Sequence, residues 1–265
     1  MSDEVTIVTA FVDIGRGDWE GIANGAPIAP YIKRDTETYL KRFQRLTKLK
    51  NPIVCFTQSK FFERILAMRE DIILINIDSI FDDHQHLINS IKAAQKNPDF
   101  TKHLSKPSSP EYWSPEYVAI NFMKSHFVTY AVESGLCQTS TSAWIDFGYC
   151  RDEVYCPENK TFTFNTENKI NFFGMAEDYF IRPIFDIVMY GHVYIQGCHI
   201  VAPNKDWKAL KQLVNDSLSV LFKVGMVDDD QTLLLMAYRA APEMFKINPG
   251  STTNWFNIFE GNCND

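Results

Sequence analysis

This 265-residue chain has no GxGxxG fingerprint, no GxxxxGK(S/T) loop and no GxSxG elbow. These absences weaken dehydrogenase, P-loop kinase and α/β-hydrolase readings, because each needs its glycines at that spacing to bring backbone close to a phosphate or a nucleophile. There is no CxxC. The six cysteines at 55, 137, 150, 156, 198 and 263 give no paired Cys/His ligand spacing, so structural zinc is not expected. The composition predicts reduced thiols in a reducing compartment. Positive charge is also scarce. Lys and Arg number 26 against 33 Asp and Glu, a net charge of −7 and the wrong sign for a general nucleic-acid binder. A small anionic ligand remains compatible, since a local basic pocket or a metal can hold it. No apolar run approaches the ~20 residues of a transmembrane helix. Met1-Ser2-Asp3-Glu4 lacks the basic and apolar regions of a signal peptide. The expected location is cytoplasmic, with docking at the inner face of the cytoplasmic membrane left open. Internal repeats and low-complexity segments are absent.

Hydrophobic residues make up 45% of the chain and aromatics 14%, enough for a substantial core. Val5–Val12 is β-branched and apolar, which reads as a buried strand. Thr36–Lys50 places Tyr39, Leu40, Phe43, Leu46 and Leu49 at helical spacing. A strand at Ile53–Thr57, a helix at Lys60–Arg69 and a strand at Ile72–Ile77 follow. That alternation predicts an α/β fold, a doubly wound and mainly parallel sheet. Further along, we expect a helix at His84–Gln95, a loop or lid at Asn97–Pro115 and a helix at Tyr117–Ser134 carrying Lys124. We also expect a strand at Ser142–Asp146, a hairpin within Cys150–Asn168, strands at Ile184–Val188 and Val193–Val201, and helices at Asp206–Val224 and Thr232–Ala240.

Two acidic sites carry the candidate chemistry. Asp146 follows a buried strand, and ligands of open α/β sheets bind at the carboxyl edge of the strands. Oxygen ligands there suit Mg²⁺ or Mn²⁺ on a diphosphate. A turn aspartate is the plainer reading. Val227-Asp228-Asp229-Asp230-Gln231 sets three carboxylates side by side before an apolar helix. One aspartate suffices to cap a helix. The excess points to Asp230, then Asp229, as a group that orients an acceptor hydroxyl or removes its proton, and to Gln231 as a contact that binds a sugar hydroxyl or stabilises developing positive charge. Thr9, Ala10, Phe11, Asp13 and Arg16 surround the turn after the first strand, a frequent nucleotide pocket in parallel sheets. Lys124 could reach a phosphate, though a solvated helix lysine fits equally well. Gly197, beside Gln196, reads as a close backbone approach or a bulge within the expected strand. His199 is a candidate metal ligand, with a packed histidine the plainer reading.

Thr6-Ile7-Val8-Thr9-Ala10-Phe11-Val12-Asp13-Ile14-Gly15-Arg16, the WIDFGY segment at 144–149 and DDDQTLLLMAY at 228–238 resemble the HtrL/YibB family of bacterial proteins, in the family's order and over most of the chain. That family is similar to nucleotide-sugar glycosyltransferases of the GT-A fold, many tied to lipopolysaccharide or capsule synthesis. More loosely, the chain resembles glycogenin-like transferases. There a strand-end Asp-x-Asp meets metal and diphosphate, a glycine-containing strand follows, and an Asp-Gln pair faces the sugar. Asp146, Gly197 and Asp230-Gln231 stand in that order here, with Gly148 in place of the second aspartate; Asp152 or Glu153 could complete a metal site. The resemblance implies one GT-A-like domain over 1–265, with 1–146 as nucleotide half and 147–265 as acceptor and sugar half, where Gln196 and Gly197 would contact sugar or acceptor. It also implies transfer of a hexose from a nucleoside-diphosphate sugar, a uridine one by preference, to a carbohydrate or glycolipid acceptor, aided by Mn²⁺ or Mg²⁺. The rival readings are a nucleotidyltransferase or other nucleotide-sugar enzyme, and a carbohydrate-binding protein without turnover.

Overall fold

The β-branched apolar runs build the strands, because their stiff side chains pack well on a pleated surface. In the computed structural model, which describes residues 2–152, 156–175, 178–250 and 255–264, these are β1 (Asp3–Phe11), the short pair β2 (Ile22–Ala23) and β3 (Ala26–Pro27), β4 (Ile53–Thr57), β5 (Ile73–Asn76), β6 (Thr141–Ile145), β7 (Thr161–Phe164), β8 (Ile170–Gly174), β9 (His199–Pro203), β10 (Phe245–Pro249) and β11 (Cys263–Asn264). The helices are α1 (Thr36–Leu46), α2 (Phe62–Leu66), α3 (Ile80–Asp83), α4 (Gln85–Gln95), α5 (Pro98–Thr101), α6 (Pro115–Phe122), α7 (Lys124–Glu133), α8 (Ile184–Tyr190), α9 (Trp207–Lys223) and α10 (Asp230–Ala240).

The main sheet runs β10-β8-β9-β6-β1-β4-β5, with β7 and β11 attached beside β1. Parallel pairing joins β6 to β1, β1 to β4, β4 to β5, and β8 to β10. β9 runs antiparallel between β6 and β8. The period of two along β1 sorts its side chains into two cores. Val8, Ala10 and Val12 face a layer of α4, α6, α7, α9 and α10. Val5, Ile7 and Phe11 face α1, through Leu40, Phe43 and Leu46, and the C-terminal residues Ile258 and Phe259. The product is a single α/β domain with a large, mostly parallel mixed sheet flanked by helices, a Rossmann-like arrangement. No helix among the described residues is long and apolar enough to cross a membrane.

Several elements differ from what the sequence predicts. Ile184–Tyr190 is helix α8 rather than a strand; a short apolar run has no period that separates the two states. β9 starts only at His199, so Gly197 precedes the strand instead of lying within it. The expected helix from Tyr117 to Ser134 is two helices parted at Met123, where neither glycine nor proline marks the break. The segment read as a lid is folded down. Phe100, Leu104 and Tyr112 are buried, and the Tyr112 hydroxyl donates to the Val188 carbonyl at 2.9 Å. β7 pairs with β1 and β11 rather than within a local hairpin. Cys150 and Cys156 are joined as a disulfide with their Cα atoms 5.9 Å apart, against the expectation of six reduced thiols. Composition reports the supply of cysteines, not their separation in space.

Candidate functional site

The WIDFGY segment is locked residue by residue at the end of β6. The Trp144 indole donates to Asp146 Oδ1 at 2.8 Å. Phe147 stacks between Phe11 and Phe43, with ring centroids at 4.7 and 4.1 Å. Two such pairs contribute about 0.5–1.5 kcal/mol each beyond burial. At Gly148 any Cβ would stand 2.9 Å from the Tyr39 ring, so the glycine is what lets α1 close on this turn. The Tyr149 hydroxyl oxygen accepts from the Ile258 amide at 3.0 Å. Trp144 and Asp146 are two residues apart, so both side chains project toward the α7 layer.

Register brings the next group. β9 pairs antiparallel with β6, with Ile145 opposite His199, and the Asp146 amide donates to the Cys198 carbonyl at 2.9 Å. Gly197 therefore lies beside Asp146. A Cβ on Gly197 would fall 2.0 Å from Asp230 Oδ2, so only glycine admits that carboxylate. Asp230 is the first residue of α10, and the three adjacent aspartates do three different things. Asp229 caps the helix, its Oδ1 accepting from the Gln231 amide at 3.0 Å. Asp228 turns inward and accepts from the Thr232 hydroxyl at 2.7 Å. Asp230 faces Lys124.

Lys124 joins the two acidic sites. Its Nζ donates to Asp230 Oδ2 at 2.8 Å and to the Gly197 carbonyl at 2.8 Å, and it lies 3.1 Å from Asp146 Oδ1. The lysine side chain is only 7% exposed. Burial alone would lower its pKa; the carboxylates of Asp146 and Asp230 outweigh that and hold it above the usual lysine range. Burial raises Asp230, opposed by Lys124. Burial and the charges of Asp230 and Asp228 hold Asp229 well above its ordinary value.

These groups line an open cleft of about 270 Å³, at the carboxyl edge of β1 and β6. Ala10, Phe11, Asp13, Arg16, Lys124, Asp146, Gly197, Asp229, Asp230 and Gln231 all border it. Asp13 is at the rim, 3.4 Å from Lys60. Gly15, at φ +73°, turns the chain there into the Arg16 turn. Three expected residues lie elsewhere. Thr9 is fully buried and, two residues before Phe11, projects to the α1 side of the sheet. Gln196 is fully buried, its amide directed at the Met175 sulfur at 3.1 Å. His199 is packed edge-on against Phe173 and Tyr149. Burial pushes its pKa down to about 3, so the ring is neutral, but it faces the core opposite Lys124 and does not border the cleft.

The residues present do not fit a divalent-ion site at Asp146. An ammonium already stands between the two carboxylates. No group of three His, Cys, Asp or Glu side chains among the described residues is placed to hold a metal ion. Asp152 is exposed, and Glu153 lies outside the described residues. The sequence reading also missed Arg34 and Arg151 on the cleft wall, with Arg42 behind Gly148. Their signal was weak: isolated arginines on a helix, before it and on a distant loop are indistinguishable from a solvated surface.

Comparison with known proteins places the chain in a family. The family model described as "Bacterial protein of unknown function (HtrL_YibB)" matches residues 3–262. The chain is 34% identical to Protein HtrL of Escherichia coli (strain K12), over 98% of this chain and 92% of that protein. The chain belongs to the HtrL_YibB family.

Proposed function

We propose that this member of the HtrL_YibB family is a glycosyltransferase that moves a hexose from a nucleoside-diphosphate sugar, a uridine one by preference, to a carbohydrate acceptor of the cell surface, in lipopolysaccharide or capsule synthesis. One observation carries the reading. Lys124 and Asp230, 106 residues apart, meet as a buried ion pair that also contacts Asp146, on the floor of a cleft at the carboxyl edge of parallel strands. Buried ion pairs are a poor way to gain stability. Perturbed charges gathered in a cleft are a common mark of chemistry.

In the proposed reaction an acceptor hydroxyl attacks the anomeric carbon. The bond from that carbon to the diphosphate oxygen breaks, and the diphosphate leaves with the electron pair. The acceptor proton passes to a carboxylate. Asp230 and Asp229 both border the cleft, and geometry favours Asp229. Asp230 is held by Lys124, whereas Asp229 spends one oxygen on the Gln231 amide and leaves the other free of the lysine, and burial raises its proton affinity. Gln231 offers a neutral donor and acceptor for sugar hydroxyls. The nucleotide would rest near Ala10, Phe11 and Asp13.

The test is a thermal-shift series with uridine, guanosine, cytidine and thymidine diphosphates, followed by product analysis with the matching nucleotide sugars. A ligand of the native state raises the midpoint, by about 2.7 kcal/mol of stability at one hundred times its Kd. One diphosphate should raise it, and its sugar derivative should release that diphosphate. No shift with any of the four at millimolar concentration overturns the reading, and release of pyrophosphate replaces it with nucleotidyl transfer.

A further inference from the structure

The cleft has two unlike walls. On the α10 side, Asp146 and Asp230 share one ammonium, that of Lys124. On the α1 side stand arginines with no carboxylate partner in an ion pair among the described residues. Arg16 is clamped by the Tyr39 hydroxyl at 2.7 Å and the Ile32 carbonyl at 2.9 Å, and it lies over the rings of Trp19, Tyr39 and Tyr117. Arg34 borders the cleft just before α1. Arg42, on α1, passes beneath Gly148. Arg151 enters from the disulfide loop and lies 4.0 Å over the Phe256 ring.

Three arginines bordering one cleft, with Arg42 close behind them, are costly unless something answers them. Arg16 Nε and Arg42 Nη1 are buried without a hydrogen-bond partner among the described residues. Such donors normally find one. Burial, then Arg34 and the charges of Arg45 and Arg16, hold Arg42 below its usual range. Partial burial and the charges of Arg34 and Arg42 bring Arg151 down to about 10. Mutual repulsion of this kind is what a bound anion would relieve. Arg also suits a diphosphate, because its planar fork binds two oxygens at once.

We infer that Arg16, Arg34 and Arg151, backed by Arg42, form a diphosphate-binding wall that works without a divalent ion, opposite Lys124 as the resident cation of the cleft. The inference rests on the transferase reading for its substrate class, but the anion site is testable alone. In the reaction the wall would spread the charge of the leaving diphosphate over fixed donors, the task that a metal performs where a second aspartate holds one.

The experiment is calorimetric titration of the full chain with inorganic pyrophosphate, first in EDTA and then with Mg²⁺. Binding should appear in EDTA and change by less than about threefold with Mg²⁺. Arg34→Ala and Arg151→Ala should each weaken it about 10- to 100-fold, the size of one charged hydrogen bond. Neither side chain donates a hydrogen bond to another described residue, and their unfolding midpoints check the fold; Arg151→Gln serves if a variant is unstable. Binding that needs Mg²⁺, or that survives both substitutions, overturns the inference. Pyrophosphate binding in EDTA with no turnover of any nucleotide sugar leaves the wall standing and removes the transferase reading. Turnover that requires a divalent ion does the reverse.

Discussion

Replacing Lys124 with methionine tests the centre of the cleft most directly. Methionine fills much of the same volume and takes away one ammonium. Asp230, 6% exposed, then loses the cation it is paired with, and the Gly197 carbonyl loses its donor. Breaking a buried pair from one side costs about 3–5 kcal/mol, because the remaining charge has nothing to answer it. At roughly 2–4 °C per kcal/mol for a chain of this size, the thermal midpoint should fall by roughly 6–20 °C. The sign of the pH dependence follows from Asp230. Burial raises its folded pKa above the unfolded value, so its contribution is most favourable at low pH and is lost as pH rises through the folded pKa. Without Lys124 that pKa climbs further. The deficit of the variant should therefore be greatest at neutral pH and shrink toward pH 4, as Asp230 becomes neutral. Urea melts of the wild type, Lys124→Met, Asp230→Asn and the double variant close a cycle. The double variant should be more stable than Lys124→Met alone. A loss under about 1 kcal/mol at pH 7, or strict additivity of the two substitutions, would refute the reasoning.

Gly197→Ala places a methyl group 2.0 Å from Asp230 Oδ2, so the carboxylate must move. Overpacking of this kind costs about 1–3 kcal/mol, read as a lower urea midpoint, and should weaken nucleotide binding together with it. Asp229→Asn separates capping from chemistry. Asparagine caps a helix as well as aspartate does, so stability should hold while sugar transfer falls about 10²- to 10⁴-fold. Glu111 and Asp228 form a second titrating pair below the cleft. Burial and then Asp229 push Glu111 up to about 8, while burial and then Glu111 do the same to Asp228. Both folded values exceed the unfolded ones, so stability should decline as pH rises from about 4 towards 8, and Asp228→Asn should flatten that slope in thermal melts across the range.

The class of the fold and one half of the cleft were legible in the order of residues. The β-branched runs at β1 and β4 and the amphipathic spacing of α1 and α9 leave few packings other than a helix-covered sheet, because the strands need cover on both faces and each helix has one apolar face to give. Asp146 and Asp230 stood out because a carboxylate at a strand end, or an excess of them before a helix, conflicts with local economy. Other features could not be read locally. Ile184–Tyr190 became a helix through its surroundings, and the packing of the layers decided that Lys124 would stand on one face of the sheet and Thr9 and His199 on the other. Folding alone set Lys124 between two carboxylates, made Gly197 the gap that admits one of them, and gathered Arg16, Arg34 and Arg151 on the opposite wall. Charge acts through space over a few ångströms, and the groups that share this cleft lie dozens of residues apart along the chain.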